Sequence, residues 1–455
     1  MLGRILKAAG WTLLGIVALC VVLYVIAVAV NWRDQEPSAS AVRFANLYRD
    51  RPVVADDDNA YAYVMGFEVA PAENPRELGL KRIAWIHGPH EGTWLDPAND
   101  PLGELPDYRS ERPPAISKYL EACGIGGSGC VAAFDAATDG FEQWMATENW
   151  LRERYQTLIG HAGWREEVPL HITAPFPSYQ LIMEGQKLLL LDAKVLARKG
   201  DYGGVLDLLA RDLRFWRRVF ESSDTLLTKM IAKAAIERHF SLGSLVFRSL
   251  PADRVVDAIP EEWRTPVSNA ERSMLRCLVG EWTQTSALLW NIAEEYAATN
   301  EASLLESALA RLSEPFYKRQ ATINAHAEYY SRVATLLNVS LDQYEAALAQ
   351  TSELAQQAFP PRSVYNVMGQ ILIGMGLASY EGYARRVGDV EGVRRAALAV
   401  VTTRAANVAK HGVPASLATS PLRNPYNNRP FEWDGEAVLF RGLESGSRGE
   451  HRFEY

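Results

Sequence analysis

Residues 178–220 read SYQLIMEGQKLLLLDAKVLARKGDYGGVLDLLARDLRFWRRVF, and this stretch decides the fold class. Its first half is apolar enough for a buried helix, and Gly200-Asp201 then supplies the residues of a tight turn. The second half spaces its apolar residues as on one face of a helix: Val205, Leu208, Leu209, Leu213, Trp216 and Phe220. The sequence therefore predicts a helical hairpin that turns at Gly200.

A similar pair, Gly388-Asp389, stands between YEGYARRV and a second apolar stripe, which predicts another hairpin turn. Each hairpin is similar to the helix pair of a tetratricopeptide repeat. Such arrays repeat about every 34 residues, and the sequence between the two sites shows no such period. We therefore expect a mainly α protein built from irregular stacked helical hairpins.

The chain from Trp11 to Val30 reads WTLLGIVALCVVLYVIAVAV and has no charged side chain. At about 1.5 Å per residue this run matches a hydrocarbon core of roughly 30 Å. Arg4 and Lys7 precede it, which predicts a cytoplasmic N-terminus. Ala27 and Ala29 allow a cleaved signal peptide as an alternative, but signal h-regions run only about 7 to 15 residues. We expect an uncleaved, single-pass anchor in contact with the lipid bilayer from Trp11 to Val30.

A second apolar stretch lies at residues 364–380 and carries Asn366 and Gln370. It is shorter than the roughly 18 apolar residues of a membrane span. The sequence favours a buried helix here, and hence a single span.

Four regions are expected along the chain: a signal-anchor transmembrane helix at 1–31, a linker or stalk at 32–58, a helical periplasmic domain at 59–413, and a turn-rich segment at 414–455. Within the last, Asp434-Gly435 separates FEW from EAVLFRG, which predicts a β-hairpin. Its apolar residues Phe431, Trp433, Val438 and Phe440 are expected to pack on the helices. The tail at 445–455 is expected to be loosely held.

Composition excludes several classes of function. Lys and Arg number 47 against 55 Asp and Glu, giving a net charge of -8 in 455 residues. A surface built to neutralise nucleic-acid phosphates is basic, so nucleic acid is not an expected partner. The four cysteines form no CxxC pairs, which excludes a zinc ribbon. The sequence predicts no cofactor.

Cys123 and Cys130 flank the glycine-rich loop in CGIGGSGC, which allows the two sulfurs to meet. We expect a structural disulfide. A redox-active pair is the alternative, although such pairs usually have two residues between the cysteines. Cys277 is expected to be a buried free thiol.

His87, His90 and Glu91 in HGPHE are the candidate metal ligands, because imidazoles three residues apart can converge. Pro89 prevents the regular helix on which H-E-x-x-H sites depend, so a turn is favoured over a metal site. No catalytic residue is assigned.

Glu184 and Asp192 lie in one apolar helical run with Lys187 and Lys194. Glycosidases use two carboxylates that face one cleft. Two turns apart on a single helix, these two acids are instead expected to form surface pairs or a buried salt bridge.

Five stretches together resemble an uncharacterised family of single-span bacterial envelope proteins. They are DNAYAYVMGFEVAP (58–71), NWLRERYQTLIG (149–160) after the cysteine pair, LLTKMIAKAAI (226–236), GQILIGMGLASYEGYARRVGD (369–389) and NPYNNRPFEWD (424–434). The resemblance runs from about Asp58 to Asp434. It implies a bacterial inner-membrane setting, and it carries no assigned activity or catalytic residue.

The expected function is that of a membrane-anchored periplasmic binding or scaffold protein of the bacterial cell envelope, with an envelope protein as partner. Stacked helical hairpins present grooves that suit a partner helix or an extended peptide. The alternative is a periplasmic hydrolase acting on cell-wall or lipid substrates through the loop of His87, His90 and Glu91.

Overall fold

The computed structural model describes residues 2–89, 95–105, 112, 114–123, 129–168, 170, 173–299, 304–357, 363–376 and 380–455. These residues form a mainly α protein with a small C-terminal sheet, which confirms the predicted fold class. The helices before the central hairpin are α1 (Leu2–Val30), α2 (Ala39–Arg49), α3 (Ala60–Met65), α4 (Pro75–Ile86), α5 (Pro114–Ala122), α6 (Cys130–Asp139) and α7 (Phe141–Ile159).

The central helices are α8 (Tyr179–Lys199), α9 (Tyr202–Ser222), α10 (Leu226–Phe247), α11 (Ala252–Ala258), α12 (Glu261–Arg264), α13 (Asn269–Arg272) and α14 (Leu275–Thr299). They are followed by α15 (Leu304–Ser313), α16 (Arg319–Leu336), α17 (Tyr344–Gln357), α18 (Val367–Gly376), α19 (Tyr380–Ala405) and α20 (Val413–Thr419). The strands are β1 (Glu432–Trp433), β2 (Ala437–Arg441) and β3 (Glu450–Glu454). Short 3₁₀ turns lie at Pro97–Asn99, Glu314–Phe316, Leu341–Gln343, Lys410–Gly412 and Gly446–Gly449.

The predicted hairpin at Gly200 is confirmed. Gly200 ends α8 with a φ of 78°, a left-handed conformation that glycine adopts without steric penalty. Asp201 then begins α9, because its carboxylate accepts a hydrogen bond from the Gly204 N–H at 2.9 Å. The apolar stripe of α9 is buried, and α8 and α9 both pack against α10, which packs on its other side against α19.

The predicted turn at Gly388-Asp389 is wrong, since α19 runs unbroken through both residues. Asp389 does not begin a helix; its carboxylate accepts hydrogen bonds from Tyr426 Oη (2.7 Å) and the N–H of Leu443 (2.7 Å) in the C-terminal segment. Gly392 of α19 makes room for that segment, because a Cβ there would lie 2.0 Å from the Phe440 ring.

The predicted linker at 32–58 is wrong over residues 39–49, which form α2. Ser38 begins this helix by accepting a hydrogen bond from the Ala41 N–H at 3.2 Å, and Phe44 is fully buried. α2 packs against α14 and α16. The apolar residues of α2 do not share one face, because Ala41 and Phe44 are buried while Val42 and Leu47 are exposed. This mixed pattern was too weak for a helix prediction.

α1 contains, at Ala9–Val30, the one helix in the described part of the chain that is long and apolar enough to cross a membrane. The C-terminal end of α1 and the residues after it contact the helical domain directly through hydrogen bonds. The side chain of Asn31 donates to Val364 O (2.9 Å) and accepts from the Asn366 N–H (2.7 Å). Asp34 accepts hydrogen bonds from the Gln320 and Ala321 N–H groups in the first turn of α16.

The stretch at 364–380 does contain a helix, α18, but the prediction that it is buried is wrong. Most of its described side chains are half-buried, and Met375 is 77% exposed. The helix lies at an edge of the domain, against the 3₁₀ turn Glu314–Phe316, which itself contacts α1.

The predicted C-terminal hairpin is confirmed as β1 and β2, with Trp433 opposite Val438. Phe431, Val438 and Phe440 are buried, and Trp433 packs on the core while half-buried. The expectation of a loose tail is wrong, because residues 450–454 add β3 antiparallel to β2. Buried Phe453 explains the order of this strand, since it packs into the main core.

Candidate functional site

The candidate metal ligands of the HGPHE loop are only partly described. His87 ends α4, where its backbone N–H donates to Ile83 O at 3.1 Å. His90 and Glu91 lie outside the described residues. Among the residues that are described, no group of three His, Cys, Asp or Glu side chains is placed to hold a metal ion.

The cysteine pair joins the end of α5 to the start of α6. The sulfurs of Cys123 and Cys130 lie at disulfide-bonding distance, with Cα atoms 4.6 Å apart. Cys277 is a buried free thiol, as expected, and burial raises its pKa to about 12. Its thiolate is therefore disfavoured.

Glu184 and Asp192 do not face one another as a catalytic pair. Glu184 accepts from Arg112 Nη1 at 2.7 Å, and Asp192 accepts from Arg152 Nη1 at 2.6 Å. The expectation of salt bridges is confirmed.

Two adjoining cavities, which we call the cleft, lie along α8 and α10. The first, of about 620 Å³, is bounded by α5, α8 and α10 and is lined by Arg112, Glu184 and Lys187. The second, of about 520 Å³, lies between the disulfide, α10, α19 and the C-terminal segment. Ile231 and Arg238 line both cavities. Each cavity falls in the size range of ligand sites, roughly 300 to 1,000 Å³.

Arg238 stands where the two cavities meet. Its guanidinium donates to Met183 Sδ (2.8 Å) and to Gln186 Oε1 (3.3 Å), and no carboxylate of the described residues forms an ion pair with it. Burial lowers the pKa of Arg238, but an arginine remains protonated at neutral pH. The cleft therefore contains a partly buried positive charge that no carboxylate of the described residues neutralises.

The first cavity holds two further cations. Arg112 is 4% exposed and bonds Glu148 (2.9 Å) and Glu184 (2.7 Å), while its Nη2 has no hydrogen-bond partner among the described residues. Lys187 donates to Leu120 O, and burial lowers its pKa to about 8. An anionic ligand would satisfy these groups, because each can donate a charge-assisted hydrogen bond.

The second cavity is lined by both signs of charge. Glu444 is surrounded by cations, with Arg386 Nε at 2.9 Å, Arg448 Nε at 3.4 Å and Lys233 Nζ at 3.8 Å. Glu237 Oε1 and His451 Nε2 lie 3.8 Å apart, and both atoms are buried without a hydrogen-bond partner in the described structure. Buried polar atoms without partners are rare in native proteins, so this pair is a place for a polar group of a ligand.

A closed polar network lies beneath the cleft. Asp212 accepts from Tyr155 Oη, from Gln186 Nε2 (3.1 Å) and from His239 Nδ1 (2.7 Å). His239 Nε2 accepts from Trp263 Nε1 at 2.7 Å, which fixes the neutral tautomer with its proton on Nδ1. These side chains are all buried and hydrogen-bonded to one another. The network holds Gln186, whose Oε1 in turn orients Arg238.

Sequence reasoning missed the cleft, although a signal was present. α8 carries Glu184 and Lys187 three residues apart, and α10 carries Lys233 four residues before the adjacent pair Glu237 and Arg238. These charges lie on helices that are otherwise largely apolar. Charged residues are seldom buried unless they are paired, and such positions mark either salt bridges or a site.

Comparisons with known proteins return no match: no protein-family model, no curated protein and no solved structure is similar to this chain.

Proposed function

We propose that the protein is a single-pass membrane protein of the bacterial envelope whose periplasmic helical domain binds an extended acidic peptide in the cleft without catalysing a reaction. One observation carries the proposal: the Arg238 guanidinium lines both cavities and has no carboxylate partner among the described residues. A desolvated, unpaired guanidinium attracts a carboxylate more strongly than an exposed one does.

The shape and the polar groups of the cleft also suit an extended peptide. The cavities adjoin at Ile231 and Arg238, so one ligand can occupy both. A peptide backbone offers carbonyl acceptors and N–H donors at regular intervals. Among the described residues, no group bonds the donor Arg112 Nη2 or the acceptor Glu237 Oε1. Arg112 Nη2 can therefore donate to a peptide carbonyl, and Glu237 Oε1 can accept from a peptide N–H. Acidic side chains then complement the cations of the lining.

The apolar helix α1 supports membrane anchorage. None of its spanning window is buried within the protein, so its apolar surface needs another apolar environment. Arg4 and Lys7 on the N-terminal side favour a cytoplasmic N-terminus and a periplasmic domain.

Contacts between α1 and the domain support a position directly on the bilayer. Tyr24 Oη donates to Leu312 O at 3.2 Å, and its ring packs edge-on against Phe316 at 5.7 Å. Tyr24 lies six residues before Val30, or about 9 Å inside the span at 1.5 Å per residue. Beside this contact, α15 exposes Leu309 (56%) and Leu312 (53%). These side chains are placed to meet lipid.

Binding of labelled peptides tests the proposal. Full-length protein in nonionic detergent micelles is titrated into fluorescent hexaglutamate, hexaglutamine and hexalysine, and anisotropy is recorded. We expect hexaglutamate to bind at least tenfold more tightly than hexaglutamine, and hexalysine not to bind. Arg238→Gln should lower hexaglutamate affinity at least tenfold, because removal of one partner of a buried charge contact has a large effect.

Two further variants complete the test. Arg254 has an exposed side chain on α11, and Arg254→Gln removes the same charge away from the cleft; it should leave the affinity within twofold. Arg448→Gln, at the open side of the second cavity, should cause a smaller loss than Arg238→Gln. Equal affinity for hexaglutamate and hexaglutamine, or equal losses in Arg238→Gln and Arg254→Gln, would overturn the proposal.

A further inference from the structure

A third cavity, separate from the cleft, lies between α10, α14, α16, α18 and α19. Its volume is about 300 Å³, the low end of the range for ligand sites. Most of its lining is apolar or aromatic, and the described residues that line it include no lysine or arginine: Leu226, Glu281, Thr285, Leu289, His326, Tyr330, Leu372, Ile373, Tyr380 and Tyr383. The cavity fits an apolar chain better than a charged molecule.

His326 is the exception in this lining. It is 4% exposed, and its Nδ1 has no hydrogen-bond partner in the described structure. Its ring packs on Tyr330 at 4.2 Å, and burial lowers its pKa to about 4, so the imidazole is neutral. A neutral imidazole has one donor and one acceptor nitrogen, and leaving either unmatched in the interior is unfavourable. Within the described part of the chain, His326 Nδ1 is thus an unsatisfied polar atom at an apolar site.

Three other polar residues of the lining already have partners. Tyr330 Oη and Tyr380 Oη hydrogen-bond each other, and Glu281 Oε1 accepts from the Leu226 N–H at 2.8 Å. Glu281 is the one carboxylate among the lining residues, and it disfavours an anionic ligand. The ligand expected here has an apolar chain and a neutral polar group that pairs with His326.

One wall of the cavity belongs to the helix beside the membrane anchor. α18 contributes Leu372 and Ile373 to the lining. The same helix begins directly after Asn366, whose N–H bonds Asn31 at the end of α1, and it contacts the 3₁₀ turn that holds Tyr24. A ligand that enters beside α18 would therefore come from the bilayer.

We propose that this cavity binds the acyl chain of a neutral, single-chain amphiphile taken from the bilayer, such as a monoacylglycerol, with a hydroxyl or ester group hydrogen-bonded to His326. The inference rests on the proposed membrane anchorage and is independent of peptide binding in the cleft. The small volume excludes a complete two-chain phospholipid.

A photo-crosslinking experiment tests this site. Full-length protein in phosphatidylethanolamine and phosphatidylglycerol nanodiscs is irradiated with a decanoyl glycerol that carries a diazirine at the chain end. The free acid with the same chain is the second probe. Labelled peptides are then identified by mass spectrometry. We expect the glycerol probe to label α1 from the lipid, and to label α14, α16 and α18 from within the cavity. The acid probe should label the cavity helices at least fivefold less than the glycerol probe does.

Two variants make the result specific. Leu372→Trp fills the cavity and should abolish its labelling without changing that of α1. His326→Phe keeps an aromatic ring but removes the nitrogen, and should reduce cavity labelling about fivefold, the effect of one lost hydrogen bond. Labelling confined to α1 and α15 in the unmodified protein, or cavity labelling unchanged in Leu372→Trp, would overturn the inference. Absence of label on α1 itself would instead contradict the proposed anchorage.

Discussion

The side chain of Asn31 accepts a hydrogen bond from the backbone N–H of Asn366 at 2.7 Å, although the two residues are 335 positions apart in sequence. Asn31 is buried, and its amide also donates to Ala27 O (2.8 Å) and Val364 O (2.9 Å). One side chain thus joins the last turn of α1 to the start of α18. Specific hydrogen bonds, rather than a flexible linker alone, hold the domain against α1.

Asn31→Val should release this connection. The substitution leaves the Asn366 N–H without a partner, and an unmatched buried group is unfavourable by about 1 to 3 kcal/mol. We expect hydrogen exchange at Asn366 and neighbouring amides of α18 to accelerate at least fivefold. Exposed Asn99→Ala is the control and should leave exchange there unchanged. Equal exchange rates in Asn31→Val and the unmodified protein would show that the contact is not formed.

A second prediction concerns two glycines of α19. Gly392 faces Phe440, and a Cβ there would lie 2.0 Å from the ring, whereas a Cβ on Gly382 meets nothing within 4 Å. Gly392→Ala should lower the free energy of unfolding by about 1 to 3 kcal/mol through overpacking. Gly382→Ala should raise it by about 0.5 to 1 kcal/mol, because alanine favours the helix. Both are measured by urea denaturation.

The double variant Gly392→Ala with Phe440→Leu tests the cause. A smaller side chain opposite the new methyl group should recover part of the stability lost in Gly392→Ala. Additive losses in the double variant would mean that the ring contact is not responsible.

A third prediction concerns pH. Burial and the nearby Asp224 carboxylate raise the pKa of Glu166 from 4.5 to about 7. The folded protein therefore retains a proton that the unfolded chain releases, and this contribution to stability is complete below pH 4.5 and is lost as the pH rises through 7. The melting temperature should fall between pH 5 and pH 8, and Glu166→Gln should reduce that fall.

Exposed Glu345→Gln is the matched control for the pH experiment, and its melting curve should follow that of the unmodified protein. The amide introduced by Glu166→Gln can still hydrogen-bond the hydroxyls of Thr225 and Thr228, which now bond Glu166 Oε2 at 2.8 and 3.1 Å. An unchanged pH dependence in Glu166→Gln would assign the effect to other groups.

A fourth prediction separates the binding protein from the hydrolase alternative. His87 ends α4 and lines neither cavity of the cleft. His87→Ala should therefore change hexaglutamate affinity less than twofold and complement a deletion strain as well as the natural chain does. Loss of complementation by a folded His87→Ala protein would favour the hydrolase.

Of the two helical-hairpin turns predicted at glycines, the one at Gly200 is formed and the one at Gly388 is not. Gly200 was predicted because a helix end followed by a new apolar stripe requires a left-handed residue, and its φ is 78°. The same argument failed at Gly388, where glycine leaves room for Tyr344: a Cβ there would lie 2.8 Å from its ring. Local sequence does not distinguish a glycine that turns the chain from one that admits a neighbour.

The cleft could not be predicted for a similar reason. Arg112 precedes α5, Arg238 lies on α10 and Glu444 follows β2, so only the packing of helices brings them together. The buried position of α2 was missed because its apolar residues include both buried Ala41 and Phe44 and exposed Val42 and Leu47. Long-range packing, rather than local propensity, determines both features.

The most direct test places a photo-crosslinking amino acid at Ser117, which lines the first cavity, in the full-length protein of intact cells. The same amino acid placed at Val256, an exposed residue of α11, is the control. We predict a periplasmic adduct at position 117, and the captured peptide should be rich in Asp and Glu. The adduct should be absent when the amino acid stands at position 256. Arg238→Gln should reduce the adduct at position 117 at least tenfold. A captured peptide without acidic residues, or adducts at 117 that Arg238→Gln does not change, would contradict the account.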